Sequence, residues 1–317
     1  MRSILCRFAA ILSLAAWTGG CGYDQVIHSW FDRSAETEVP AGSKLAGHVY
    51  LLRGVAGDIF SLGVDQLAEK IKRRGVTASV YDYSAYNALA EEIIREYGTG
   101  EDRGPIVLIG HSTGGDRIIA MAEKLQEADV PVALAFGLDP TRIADHVPAN
   151  VEVFINVYQR NNPIGGGEVK PGPGFRGRLI NIDLHEHREI VHITLDKTPS
   201  IQDAVTEKIV ALTTYAATRQ PAAAPPGGNP EAQPLVLNFT VPHDAPIELW
   251  DSAIEIRTIP GDTLETVASR YEVPAWAIAQ INMFEPDRPI EPGRTLLIPR
   301  SQYGAEPAAQ SQVQLQR

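Results

Sequence analysis

The chain is poor in sulfur and in positive charge. Among 317 residues there are two cysteines and three methionines, and 28 Lys plus Arg stand against 39 Asp plus Glu, a formal net charge of −11. Both cysteines, Cys6 and Cys21, lie near the N-terminus, so the rest of the chain can form neither a disulfide framework nor a zinc–thiolate cluster. The shortage of cations argues against nucleic acid, whose phosphates demand a basic face. It also argues against loose attachment to anionic lipid. The apolar run Phe8–Trp17 is only about half the roughly 20 residues that a membrane-spanning helix needs. Hydrophobic residues at 44% and charged residues at 21% exclude a wholly disordered chain, a collagen and a multi-span membrane protein. The length fits about two domains.

The N-terminal residues bear on compartment. Arg2 and Arg7 precede the apolar run, and small Thr18, Gly19 and Gly20 follow it, just before Cys21. That is the order of a secretory signal, with a charged start, a short apolar stretch and a small-residue exit. Small residues directly before a cysteine resemble the lipobox of bacterial lipoproteins. The resemblance implies that Cys21 becomes the lipidated first residue of an exported, membrane-attached protein; otherwise Cys21 leaves with the signal. The expected location is the periplasm or cell envelope.

Segments 1–21 and 22–45 thus read as signal and polar spacer. From 46 to 216 apolar strands alternate with amphipathic helices. His48–Arg53, Thr77–Tyr83, Ile106–Ile109, Val132–Phe136, Val151–Val157 and Leu179–Ile182 have strand character. Val64, Leu67, Ala68 and Ile71 fall at i, i+3, i+4 and i+7, which predicts a helix over Ser61–Arg74. Further helices are expected over Tyr86–Tyr97, Asp116–Ala128 and Ile201–Tyr215. Such alternation implies an α/β fold, a mostly parallel sheet with helices on both faces. Residues 217–236 are rich in Pro and Ala and read as a linker, because they cannot bury enough apolar surface to offset their ordering entropy. A small α+β unit, strand–helix–helix–strand, is expected over 246–300, and a polar, disordered tail over 301–317.

Gly110-His111-Ser112-Thr113-Gly114 matches G-x-S-x-G, follows an apolar strand and opens a helix. A nucleophile elbow needs that context: the serine sits in a strained turn, and flanking glycines remove side chains that would clash. The free amides of the following helix point toward the serine and can stabilise an oxyanion. The plainer alternative is a glycine-rich turn carrying an ordinary serine.

With these residues the chain resembles the α/β-hydrolase superfamily of esterases, lipases and thioesterases over roughly 46–216. The resemblance implies a Ser–acid–His order and an oxyanion hole from the amides of Thr113 and, after the first strand, Val55. It places the base late in the chain, where His192 precedes the closing helix; His187 is next. His111, inside the elbow, reads as a packing residue. For the acid, Asp139 ends a strand between serine and histidine, and Asp183 is the runner-up. Asp139 could also merely cap the turn before Pro140. The segment Val157–Pro163, where many members carry the acid, has no carboxylate. A metal reading of His185, His187 and His192 fails on spacing, since no H-E-x-x-H occurs and strand-like spacing does not put all three on one face. No metal or cofactor is expected.

In the C-terminal unit, Pro260-Gly261-Asp262-Thr263-Leu264, Asn282, and Pro292-Gly293 followed by Leu297-Ile298-Pro299 resemble a LysM domain. That family binds N-acetylglucosamine polymers, including peptidoglycan. The resemblance implies sugar contact at Gly261, Asp262 and Thr263 and at Arg288, Pro289 and Ile290; Gly261 and Asp262 would make the turn in any case. The combined expectation is an exported serine hydrolase of acyl esters or thioesters, small-molecule or lipid, tethered to the wall. The alternative is a non-catalytic wall-binding protein that uses the hydrolase-like fold as a scaffold. Nucleic acid is not an expected partner.

Overall fold

The computed structural model describes residues 45–100, 104–141, 143, 146–218, 233–285 and 289–302. The signal-like segment with Cys21, the spacer before Leu45, linker residues 219–232, Arg288 and the tail beyond 302 lie outside the described residues.

The chain runs β1 (His48–Arg53), α1 (Gly57–Phe60), α2 (Leu62–Arg73), β2 (Thr77–Asp82), α3 (Tyr86–Thr99), β3 (Ile106–His111), α4 (Thr113–Glu127) and β4 (Leu134–Leu138). It continues through β5 (His146–Val147), β6 (Val153–Tyr158), β7 (Lys170–Pro171), β8 (Arg178–Asp183), α5 (His192–Leu195), α6 (Pro199–Thr218) and β9 (Leu235–Thr240). A two-stranded unit closes it, β10 (Ser252–Arg257), α7 (Leu264–Tyr271), α8 (Ala275–Ile281) and β11 (Thr295–Arg300). Seven strands form one parallel sheet in the order β2-β1-β3-β4-β6-β8-β9. The fold is therefore α/β and α/β-hydrolase-like, with a small βααβ module at its C-terminal end.

Residues of β3 alternate between two cores because successive strand side chains face opposite ways. Val107 and Ile109 join the cluster lined by Val64, Leu67 and Ile71 of α2 and Val205 and Ile209 of α6. Ile106 and Leu108 join the opposite cluster with Leu89 and Ile93 of α3 and Ile118, Met121 and Leu125 of α4. The four residues picked by helical spacing in α2 are all buried. Helices thus cover both faces, which is why β3, β4 and β6 are buried on every residue and mostly apolar. The sheet order reverses direction between β1 and β3, so a crevice opens at the C-terminal ends of those two strands. Open α/β sheets place their ligands at such a point.

Three strands were not expected from the sequence: the two-residue β5 and β7, and β9. Leu235–Thr240 begins inside the expected linker 217–236, yet it forms β9, parallel to β8 from Arg178↔Leu235 to Asp183↔Thr240. Its edge is covered from the C-terminal module. Gln280 of α8 accepts from the Thr240 amide at 2.7 Å and donates to the Thr240 carbonyl at 2.8 Å, standing in for a neighbouring strand. Phe239, Trp250 and Trp276 stack beside it, with centroid separations of 4.8, 5.6 and 6.3 Å. The larger core runs without a break into Leu264, Val267, Ile278, Leu296 and Ile298 of the module.

A buried ion pair crosses the same junction. Lys208 of α6 lies 3.0 Å from Asp251, with both side chains almost fully enclosed, and also donates to Ser301. Burial pushes the Lys208 ammonium down from its usual range, and the Asp251 charge opposes that push. Removing one partner leaves the other charge buried and alone. We expect Lys208→Met to destabilise the chain by about 3–5 kcal/mol, and Lys208→Met/Asp251→Leu to recover most of that loss. Denaturant unfolding of the two variants checks this; equal losses would contradict it.

Candidate active site

The site is built on the turn between β3 and α4. Ser112 is the residue before α4 and has φ 57° and ψ −128°, a left-handed value that ordinary side chains avoid. The turn closes only over glycine. A Cβ on Gly110 would lie 2.1 Å from the Gly114 carbonyl oxygen, and one on Gly114 would lie 2.2 Å from that of Leu52. At the end of β1, a Cβ on Gly54 would lie 2.8 Å from the Ser112 Cβ and 3.2 Å from its Oγ. The Gly54–Val55 peptide therefore runs beside the serine. Thr113 is the first residue of α4, so its N–H has no carbonyl one turn back inside the helix.

His192 opens the short helix α5, and its ring spans two side chains. Nε2 lies 2.8 Å from the Ser112 Oγ, and Nδ1 lies 2.8 Å from Asp139 Oδ2. A carboxylate only accepts, so Nδ1 carries the proton and Nε2 accepts from the serine hydroxyl. Asp139 follows β4 directly and is fully buried, at φ 47°. It also accepts from Asn162 Nδ2 at 2.6 Å and from the Gln159 amide at 3.3 Å. A Cβ on Gly165 would lie 2.2 Å from Asp139 Oδ1, so the Gly165 backbone closes the other side of the carboxylate. The stretch Gln159–Gly165 after β6, which carries no carboxylate, supplies the donors that hold this one.

Asp183, the runner-up acid, faces elsewhere: at the end of β8 it pairs with Arg160 and lies 3.0 Å from His185 Nδ1. His187, the second choice of base, bonds Glu189 at 3.2 Å and the Pro242 carbonyl at 2.9 Å, away from Ser112. Of the three histidines weighed against a metal site, His187 gathers with Glu189 and His243. Asp116, on the first turn of α4, binds the Thr141 and Ile143 amides at 3.0 and 3.1 Å.

A second buried set lies behind the base, and only His111 of it stood out in the sequence. His111 donates from Nε2 to the His192 carbonyl at 2.8 Å. Its Nδ1 is therefore the acceptor and takes the Ser61 hydroxyl proton at 2.8 Å. Ser61 in turn accepts from the Gly54 amide at 3.1 Å. One chain of hydrogen bonds thus joins the loop after β1, the elbow and the backbone of the base. Burial is the main reason the His111 pKa falls to about 4, which keeps the ring neutral. Asp196 lies 3.9 Å from His111 Nδ1 and is fully enclosed. Burial raises its pKa to about 6, partly offset by the Lys197 charge and by the Gly63 and Val64 amides. Ser61 and Asp196 carry no motif, so no sequence signal marked them.

In the C-terminal module, Gly261 has φ 90° and makes the turn after β10. The Asp262 carboxylate is spent inside the fold, accepting from the Ile259 amide at 2.9 Å and pairing with Arg270. Thr263 caps α7 by accepting from the Thr266 amide at 3.2 Å. Ile290 is buried, whereas Pro289 is exposed. Asn282 bonds both the amide and the carbonyl of Leu297, at 2.8 and 2.7 Å, and so ties α8 to β11.

Residues 256–299 match the LysM domain family. No curated protein matches the chain. Among solved structures, the chain is similar to a hydrolase of the alpha/beta superfamily from Xanthomonas campestris pv. campestris. The two are 18% identical with a TM-score of 0.33, over 53% of this chain and 99% of that one. It is also similar to the esterase domain of a Rhodothermus marinus protein, at 15% identity and a TM-score of 0.36, over 54% and 88% of the two chains. The type II thioesterase BorB of the borrelidin biosynthetic cluster is similar at 10% identity and a TM-score of 0.26, over 62% and 85%. The hydrolase-like character of the fold is carried by the chain's own strand order.

The raised pKa of Asp196 has a measurable consequence. A carboxyl whose folded pKa exceeds its unfolded one binds protons more tightly in the native state. Its contribution to stability is complete below about pH 4 and is lost as pH rises through about 6. Asp196→Asn lacks that loss. Its melting temperature relative to the parent protein should therefore climb between pH 4 and pH 7, and a difference independent of pH would contradict the assignment.

Proposed function

We propose that the chain is a serine hydrolase of carboxylic esters or thioesters, held near glycan by its LysM domain. The observation that carries the first half is the Ser112–His192–Asp139 chain of hydrogen bonds, 2.8 Å at each link, on a strained turn at the start of a helix. His192 takes the proton of Ser112 as Oγ bonds to the acyl carbon. The amides of Thr113 and Val55 receive the oxyanion. When the tetrahedral intermediate collapses, His192 returns the proton to the departing alcohol or thiol. Water, deprotonated by His192, then releases the acid and restores the serine. Asp139 holds the imidazole tautomer throughout, and Asn162 and Gln159 hold Asp139. The site needs no metal or cofactor for these steps.

Initial-rate assays on short p-nitrophenyl esters test this reading. Ser112→Ala should remove turnover, and Asp139→Asn should lower kcat by about 10³–10⁴-fold with the fold intact. Turnover that survives Ser112→Ala unchanged would overturn the assignment.

For the second half, the LysM match supports recognition of peptidoglycan or another N-acetylglucosamine polymer. The exposed backbone around Gly261 and Pro289 is the proposed contact, since the Asp262 carboxylate and Ile290 are occupied internally. Amides of such a groove can bond acetamido groups. Tethering raises the local concentration of enzyme near its substrate. The N-terminal segment supports export to the periplasm or envelope, with Cys21 the site of a lipid anchor if it is retained. No helix among the described residues is long and apolar enough to cross a membrane. The full chain should co-sediment with insoluble peptidoglycan and be displaced by soluble N-acetylglucosamine oligomers. Failure to pellet would exclude the tether and leave the hydrolase reading standing.

A further inference from the structure

Six of the thirteen large apolar side chains left exposed among the described residues stand on the loops that carry the site. Val55 follows Gly54, whose backbone presses on Ser112. Ile59 and Phe60 come next on α1, just ahead of Ser61 and its bond to His111. Val191 and Ile193 flank His192. Ile164 precedes Gly165, which closes on the Asp139 carboxylate. Each of these six side chains is between 44% and 66% exposed. Isolated exposed apolar residues need no explanation. Six that adjoin the serine, the base and the acid, from three separate loops, mark a ligand surface.

The banks of this surface are fixed to each other. Lys197 donates to the Phe60 carbonyl at 3.0 Å and to the Ile193 carbonyl at 2.7 Å, joining the loop after β1 to the helix of the base. Its ammonium is engaged by backbone oxygen. Two segments of the apolar rim, one after Gly54 and one carrying His192, are therefore tied to each other. A permanent partner on residues next to Gly54 and His192, which both touch Ser112, would obstruct the reaction. The occupant consistent with turnover is the substrate itself.

Resting on the hydrolase reading above, we infer that the substrate's acyl group is a medium-to-long aliphatic chain, roughly eight carbons or more, laid along Ile59, Phe60 and Ile193. Transfer of each methylene from water to such a surface strengthens binding. A short acyl group such as acetyl reaches none of the rim.

The test compares kcat/KM of the full chain on p-nitrophenyl decanoate, kept monomeric, with that on the acetate. The decanoate should be favoured at least about tenfold, and Ile59→Ser/Ile193→Ser should cut the ratio by about fivefold or more. Circular dichroism confirms that the double variant is folded; if it is not, Ile59→Ser alone reads the same ratio. Equal rates on the two esters, preference for acetate, or an unchanged ratio in a folded variant would overturn the inference. Turnover of acetate without chain preference removes this inference alone. Turnover of neither ester removes the hydrolase reading as well.

Discussion

The site depends on the turn that holds Ser112 at φ 57°. A serine resists that conformation, so the surroundings must impose it. They do so by close approach of backbone. Gly110 and Gly114 let the turn fold on itself, and Gly54 lets the end of β1 come alongside. β3 and β4 set the height of the turn, since the Ser112 amide donates to the Leu138 carbonyl at 3.0 Å. Strain at one residue persists because two parallel strands and three glycines over-determine it. The same packing aims the start of α4 at the hydroxyl.

His192 is positioned from behind as well as from the side. Asp139 orients the ring of His192, and neutral His111 grips its carbonyl. His111 reaches Ser61, and Ser61 reaches Gly54, so the loop expected to receive the oxyanion and the backbone of the base share one buried chain of hydrogen bonds. Burying that ring uncharged is what lets it donate at one nitrogen and accept at the other. A protonated His111 would turn a donor toward Ser61 and disturb both ends.

Much of this was legible in the chain and some was not. Helix α2 and strand β3 follow from periodicity, because burial on one helical stripe or on both strand faces leaves a direct pattern in the residues. Ser112 was marked by glycines whose absence would cause clashes. His192 and Asp139 were singled out by the Ser–acid–His order that the resemblance implies, and the structure puts the His192 ring between Ser112 and Asp139. The donors on Asp139 were invisible, since Asn162 and Gly165 act through tertiary closeness rather than motif. Strand β9 was hidden for a related reason. It follows a Pro/Ala-rich stretch and is sheltered from solvent partly by Gln280 and Trp276, some 40 residues later, which no local pattern reports.

β9 also makes the C-terminal module more than an appendage. Shared apolar packing, the Gln280 pairing and the Lys208–Asp251 ion pair bind it to the seven-stranded sheet within one compact unit. The proposed chemistry, however, starts from a single oxygen atom, the Ser112 Oγ. Reaction with a fluorophosphonate followed by peptide mass mapping tests it most directly. The account predicts one adduct, on Ser112, and none in Ser112→Ala; an adduct elsewhere, or equal labelling of the Ser112→Ala variant, would contradict it.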